Sequence, residues 1–238
     1  AAATEAVDMI LALWQSDAPL ALNGSYWNAT LEQQIWPSHG VGSLCKPLQQ
    51  PHPPIAMAMV SPGGQTAETI AERDFIPISA NFVPADVVRA QWESYSARRA
   101  ALERPADRSI WRVCRNILIT ESNSEAEDLL ADPDGDFAFY FRYLKGLREM
   151  QTIAQNPDMS LSELNIMLGV QGAIDACVIA GSRDTVCEQL IELADYLGPF
   201  GTLVAVGHDW DSTERWQRSL VQLATEIQPV LTQHMYSS

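Results

Sequence analysis

Ile55-Ala56-Met57-Ala58-Met59-Val60 runs without a polar residue into Ser61-Pro62-Gly63-Gly64-Gln65-Thr66. The apolar run has the length of a strand, and its lack of alternation points to a strand covered on both faces, as in a parallel sheet. A short helix to about Arg73 follows the glycine turn. Strand, turn and helix in that order are the unit of an α/β fold. The unit recurs downstream. Phe75-Ile76-Pro77-Ile78-Ser79 is a second strand, with Pro77 weakening its ladder. Pro84 starts a helix carrying Val87, Val88, Trp92 and Tyr95, whose four arginines answer its dipole. Trp111 to Thr120 is a third strand, and Ser122-x-x-Glu125 is a capping box for the next helix. Helices are expected over about 137–150, over 160–171 behind Ser160-x-x-Glu163, and from Ser182 or Asp184 to Gly198. Thr202 to Val206 is the fourth strand, and Ser212 caps a last helix to about Ile227.

Upstream of Ile55, Val7, Ile10, Leu11 and Trp14 set a helix over about 4–16. Residues 18–54 read as a long irregular connector. The chain opens with Ala1-Ala2-Ala3 directly into that helix, with no strand before it to cover. This suggests the second half of a larger α/β assembly. No repeat, charge block or low-complexity linker divides residues 1–238, so a single domain is expected.

Thirty acidic against 15 basic residues give a net charge of -15. A duplex nucleic-acid partner needs a basic face, and none is visible. Apolar residues make up 47% of the chain and are spread along it, which excludes disorder. No apolar run approaches the roughly 18 residues of a membrane span, and no signal peptide opens the chain, so a cytoplasmic location is expected. Cys45, Cys114, Cys177 and Cys187 lack any C-x-x-C pairing and read as reduced, mostly buried thiols. Asp132-Pro133-Asp134-Gly135-Asp136 begins like a calcium loop. Phe137 and Tyr143 stand where that loop needs glycine and glutamate, so it reads as a helix-breaking turn and no metal is expected.

Ligands of parallel α/β folds bind at the carboxyl ends of the strands. The first such end, Ser61-Pro62-Gly63-Gly64-Gln65-Thr66, combines two glycines, two hydroxyls and a helix N-terminus, which suits an anion. Taken alone, it reads better as a plain glycine turn between strand and helix. Thr120-Glu121-Ser122 reads as a helix cap. Gly207-His208-Asp209-Trp210-Asp211 offers an imidazole for proton transfer and an aromatic wall for a pocket, against a capped turn with a packed Trp. His39, His52 and His234 receive no role, and no G-x-S-x-G elbow supports a serine hydrolase.

Several stretches together resemble the luciferase-like flavin-dependent monooxygenases, specifically their limonene-monooxygenase-like branch. They are Glu5 to Trp14, Leu48 to Ile55, Ile179 to Val186, Phe200-Gly201-Thr202-Leu203, and Gly207-His208-Asp209-Trp210 before Arg218-Ser219-Leu220. The resemblance implies a TIM-type (β/α)8 barrel of which this chain holds the C-terminal half. The four strands above become strands five to eight, and the N-terminal half is missing. It also implies an enzyme that uses reduced FMN and O2 to oxygenate a small apolar organic substrate. The flavin would come from a separate NAD(P)H-dependent flavin reductase, and the full-length protein would be a homo-oligomer.

By that resemblance Ser61, Gly63, Gly64, Gln65 and Thr66 hold the FMN phosphate, with Met59 and Val60 beside the flavin. His208 and Trp210 face the substrate, and His208 is the candidate catalytic residue; the others would lie on the missing strands. A relative using the deazaflavin coenzyme F420 for hydride transfer is an alternative, as is a non-catalytic barrel fragment. Four strands cannot close an eight-stranded barrel. The chain alone is therefore expected to expose an apolar sheet face, to be poorly soluble, oligomeric or partly unfolded, and to be inactive.

Overall fold

The computed structural model describes residues 2–42, 44–155, 169–208 and 212–236. It divides into two compact units, Ala1–Ile55 and Ala56–Ser238.

In the first unit, helix α1 (Ala2–Gln15) precedes an antiparallel pair, β1 (Leu20–Asn23) and β2 (Asn28–Leu31), in register from Leu20↔Leu31 to Asn23↔Asn28. Residues 18–54 are therefore not irregular throughout. The reason is a long-range clamp. The Glu5 carboxylate accepts hydrogen bonds from the backbone N–H groups of Ser25, Tyr26 and Trp27, each at 2.8 Å. A Cβ on Gly24 would fall 2.2 Å from Glu5 Oε1, so only glycine lets the turn close on the carboxylate. The indole N–H of Trp27 donates to Ala2 O at 3.0 Å.

The second unit carries a parallel sheet. Its elements are β3 (Ala56–Met59), α2 (Gln65–Glu72), β4 (Ile76–Ser79), α3 (Ala85–Ala101), β5 (Arg112–Ile119), α4 (Asn123–Ala131), α5 (Asp136–Gln155), α6 (Val170–Cys177), β6 (Val178–Gly181), α7 (Arg183–Leu197), β7 (Thr202–Val206), α8 (Thr213–Gln222) and α9 (Gln228–Tyr236). The strand order is β3-β4-β5-β6, with β7 on the other side of β5. All the pairings are parallel. The four expected strands are all present, and a fifth joins them in the same sheet. The addition is Val178–Gly181, too short to stand out beside the helix that runs into it. Long β5 makes room for it, pairing β4 at Arg112 and Val113 and β6 from Asn116 to Ile119. Pro77 fits a sparse ladder, since β4 meets β5 only at Ile78 and Ser79.

Ser122, Ser182 and Ser212 accept from the N–H of Glu125, Thr185 and Arg215 and cap α4, α7 and α8. The turn before α5 closes through Asp132, whose Oδ1 accepts from Asp134 N at 2.9 Å. The helix expected over 160–171 falls largely on 156–168, outside the described residues. The arginines of α3 do more than answer its dipole. Arg89 pairs with Glu93, Arg98 with Glu72 and Arg99 with Asp74, and Arg104, three residues past the helix, also pairs with Asp74, so α3 and the turn after it are tied to α2 and its C-cap turn. Behind the sheet Trp92 stacks on Trp111 at 4.7 Å, and the Arg108 guanidinium lies over both rings. The opposite face is not bare as expected: Leu118 is buried with Phe137 and Phe141 of α5, Ile174 of α6 and Trp216 of α8. No described helix is long and apolar enough to cross a membrane.

Candidate functional site

At the carboxyl end of β3, Met59 is 1% exposed and Val60 is 51% exposed. Ser61, Gly63, Gly64, Gln65 and Thr66 are all exposed. Gly64 has φ +104, a conformation open to glycine and strained for other residues, and it stands at the N-cap of α2 without any side-chain cap. Its carbonyl accepts from Glu68 N at 3.2 Å, which starts the helix. Nothing lies within 4 Å of where its Cβ would be, whereas a Cβ on Gly63 would sit 2.7 Å from Ser94 Oγ of α3. One glycine lets the loop pack against α3, and the other leaves open space over the uncapped amides of α2. That is the geometry of an anion cradle.

The ends of β4 and β7 and the middle of β5 meet in a buried polar network. Asn116, 0% exposed, donates from Nδ2 to Asn81 O (3.0 Å) and Cys177 O (3.1 Å). Its Oδ1 is thereby turned toward Asn81 Nδ2 (2.7 Å) and His208 Nε2 (3.0 Å). An amide oxygen only accepts, so the His208 ring carries its proton on Nε2. Asn81 Nδ2 also lies 3.0 Å from Tyr140 Oη.

Three rings surround His208: Tyr140 at 4.7 Å, Phe137 at 5.4 Å and Trp216 at 5.8 Å between centroids. Burial holds the imidazole below its ordinary pKa, raises the Tyr140 phenol, and pushes the neighbouring Cys177 thiol up to about 11. His208 is thus neutral at pH 7, and the partner shown for its Nε2 is an amide, not a carboxylate. Asp209, Trp210 and Asp211, expected beside it, lie outside the described residues. The structure brings His208 together with residues that received no sequence assignment, namely Asn81, Asn116 and Tyr140. The available signal was Arg115-Asn116, two polar residues in the middle of a strand that reads as buried.

In the first unit, His39 is hydrogen-bonded to Ser38 at 2.9 Å and His52 to Pro53 O at 2.7 Å. No group of three His, Cys, Asp or Glu side chains suited to a metal occurs among the described residues.

The family model for luciferase-like monooxygenases matches residues 1–198. The chain is 25% identical over 226 residues to the 3,6-diketocamphane 1,6-monooxygenase of Pseudomonas putida, covering 91% of this chain and 58% of that protein. It is similar to the solved structure of the oxygenating constituent of 3,6-diketocamphane monooxygenase from the same organism, a type II Baeyer-Villiger monooxygenase in complex with FMN. That match has TM-score 0.66 and 26% identity, and covers 95% of this chain and 62% of the other. The coenzyme F420 dependent tetrahydromethanopterin reductase of Methanopyrus kandleri shares the fold, with TM-score 0.54 at 15% identity over 96% of this chain and 62% of its own. The chain thus spans about six-tenths of the length of these relatives.

Proposed function

The chain belongs to the luciferase-like monooxygenase family, and on that premise we propose that it serves a flavin-dependent monooxygenase that uses reduced FMN and O2 to oxygenate a small apolar organic compound. The observation that carries this reading is the exposed, uncapped turn at Gly63-Gly64. The phosphate of FMN fits it: the cradle lies open above Gly64, and the first amides of α2 point out of the helix without a side-chain partner. Gly63, Gly64 and Gln65 would offer backbone N–H groups, and Ser61 and Thr66 hydroxyls. Val60 presents apolar surface next to them, with Met59 packed beneath.

When bound, reduced FMN supplies the electron pair with which O2 delivers one oxygen atom to an organic molecule. The residues of this chain bind the phosphate and, through the Asn81–Asn116–His208–Tyr140 network, hold the strand ends in one arrangement with the His208 proton fixed on Nε2. The aromatic shell around His208 keeps water from that end of the sheet. A separate NAD(P)H-dependent flavin reductase would supply the reduced flavin, in line with the relative described as an oxygenating constituent. Because the family match runs through both compact units, we read residues 1–238 as parts of one luciferase-like domain.

Titration with FMN and with coenzyme F420, followed by flavin fluorescence, tests the reading. Tight binding of FMN over F420 is expected. Tight binding of F420 but not FMN would move the chain to the hydride-transferring oxidoreductases, and binding of neither would leave a non-catalytic module.

A further inference from the structure

A cavity of about 300 Å³ opens between α5 and α6, beside the loop that follows β4. Its volume is at the small end of the range for small-molecule sites. Phe82, Phe141, Leu144, Val170 and Ala173 give it apolar walls. Two cations line it. Lys145 is paired with Glu149, one turn along α5. Arg148 is different: its guanidinium lies over the Phe82 ring, 5.8 Å from the centroid, with no carboxylate in ion-pair reach among the described residues. Most other basic side chains of this acidic protein are held by carboxylates or backbone carbonyls, such as Arg98, Arg99, Arg104, Arg183 and Arg218. The cavity adjoins the polar network directly, since Cys177 lines it and the Cys177 carbonyl accepts from Asn116.

We propose that this cavity binds a small organic carboxylate, its apolar body against Phe82 and Phe141 and its carboxylate on the Arg148 guanidinium. The fork of a guanidinium matches two carboxylate oxygens, and a ring beneath it holds the fork in place. The net charge of -15 does not oppose this at close range, because exposed charges beyond about 10 Å are screened at physiological salt. Of the acids near the cavity, Glu149 is neutralised by Lys145, and Asp86 is felt at Cys177 more weakly than Arg148 is. The inference revises the proposed substrate from a wholly apolar compound to one with an apolar body and a carboxylate head. It rests on that reading for the fate of the ligand, though not for its binding.

Calorimetric titration with cyclohexanecarboxylate and with its neutral analogue cyclohexanecarboxamide separates the possibilities. The carboxylate should bind at least tenfold more tightly than the amide. Arg148→Gln should abolish that preference, Arg148→Lys should restore part of it, and Arg142→Gln, outside the cavity on the same helix, should leave it intact. Ala173→Phe, which fills the cavity, should weaken both ligands. Equal binding of the two ligands, an unchanged preference in Arg148→Gln, or no binding of the carboxylate at millimolar concentration would overturn the proposal. FMN titration of the same samples keeps the two claims apart. Wild type that binds FMN but shows no carboxylate preference counts against the cavity alone, and wild type that fails to bind FMN counts against the monooxygenase reading.

Discussion

Replacing Asn116 by Leu tests whether the buried network holds the strand ends together. Four hydrogen bonds end on this amide, with Asn81 Nδ2, Asn81 O, Cys177 O and His208 Nε2. Leucine has a similar volume but offers no donor or acceptor. Two carbonyls and the imidazole N–H then each lose this hydrogen bond at a buried or half-buried site, while Asn81 keeps Tyr140. An unsatisfied buried group costs roughly 1–3 kcal/mol. Allowing for relaxation and for the apolar contacts leucine gains, the loss should be about 3–5 kcal/mol, a large part of the roughly 5–15 kcal/mol that a domain has in total. Urea denaturation at pH 7.5 measures it as a lower midpoint at unchanged slope. Asn116→Asp is the informative companion. It keeps the acceptor for His208 but turns an anion toward two carbonyls, and it should pull the His208 pKa upward, which NMR titration reads directly. A leucine variant within about 1 kcal/mol of wild type would refute the reasoning, because the network would then be incidental to stability.

The pH dependence of stability should show two separate contributions. His208 has a lowered pKa, so below its unfolded value of about 6.5 the unfolded chain takes up a proton that the folded chain refuses. Stability should therefore fall as pH drops from about 6.5 toward the folded value, and a His208→Gln variant should lose that slope. Glu5 is also held below its ordinary range, chiefly by the Tyr26 amide, so its contribution is present above the unfolded carboxylate pKa and disappears as pH falls through the lower folded value. Glu5→Gln should flatten that more acidic limb, read by circular dichroism, and should increase hydrogen exchange at Ser25, Tyr26 and Trp27. Gly201→Ala should destabilise by about 3 kcal/mol or more in thermal melts, since its Cβ would lie 1.6 Å from the carbonyl oxygen of Ser109.

The strand-turn-helix units of the second half of the chain are legible because apolar runs such as Ile55–Val60 and Thr202–Val206 are bounded by strong turn and capping signals. Ser122, Ser182 and Ser212 cap where local chemistry says they should. Two strand features are not legible, for different reasons. Val178–Gly181 merges into the apolar end of α6, and only the length of β5 reveals a neighbour for it. The β1–β2 pair depends on Glu5, some twenty residues from the turn it closes, and no local pattern carries that information.

The site divides the same way. The Gly63-Gly64 turn shows in the sequence because glycine is itself the signal. Asn116 and Asn81 lie 35 residues apart, and only the parallel pairing of β4 with β5 brings them to His208. The carboxylates next to His208 in the sequence lie outside the described residues, and the partner shown for its Nε2 is the Asn116 amide.

The central claim is that the turn after β3 receives the phosphate of FMN. Fluorescence titration with FMN and with riboflavin, which lacks only the phosphate, tests it most directly when repeated on Gly64→Val. Wild type should bind FMN at least tenfold more tightly than riboflavin, and Gly64→Val should erase the difference while leaving riboflavin binding unchanged. Equal affinity of wild type for the two flavins, or a preference that survives in Gly64→Val, would contradict it.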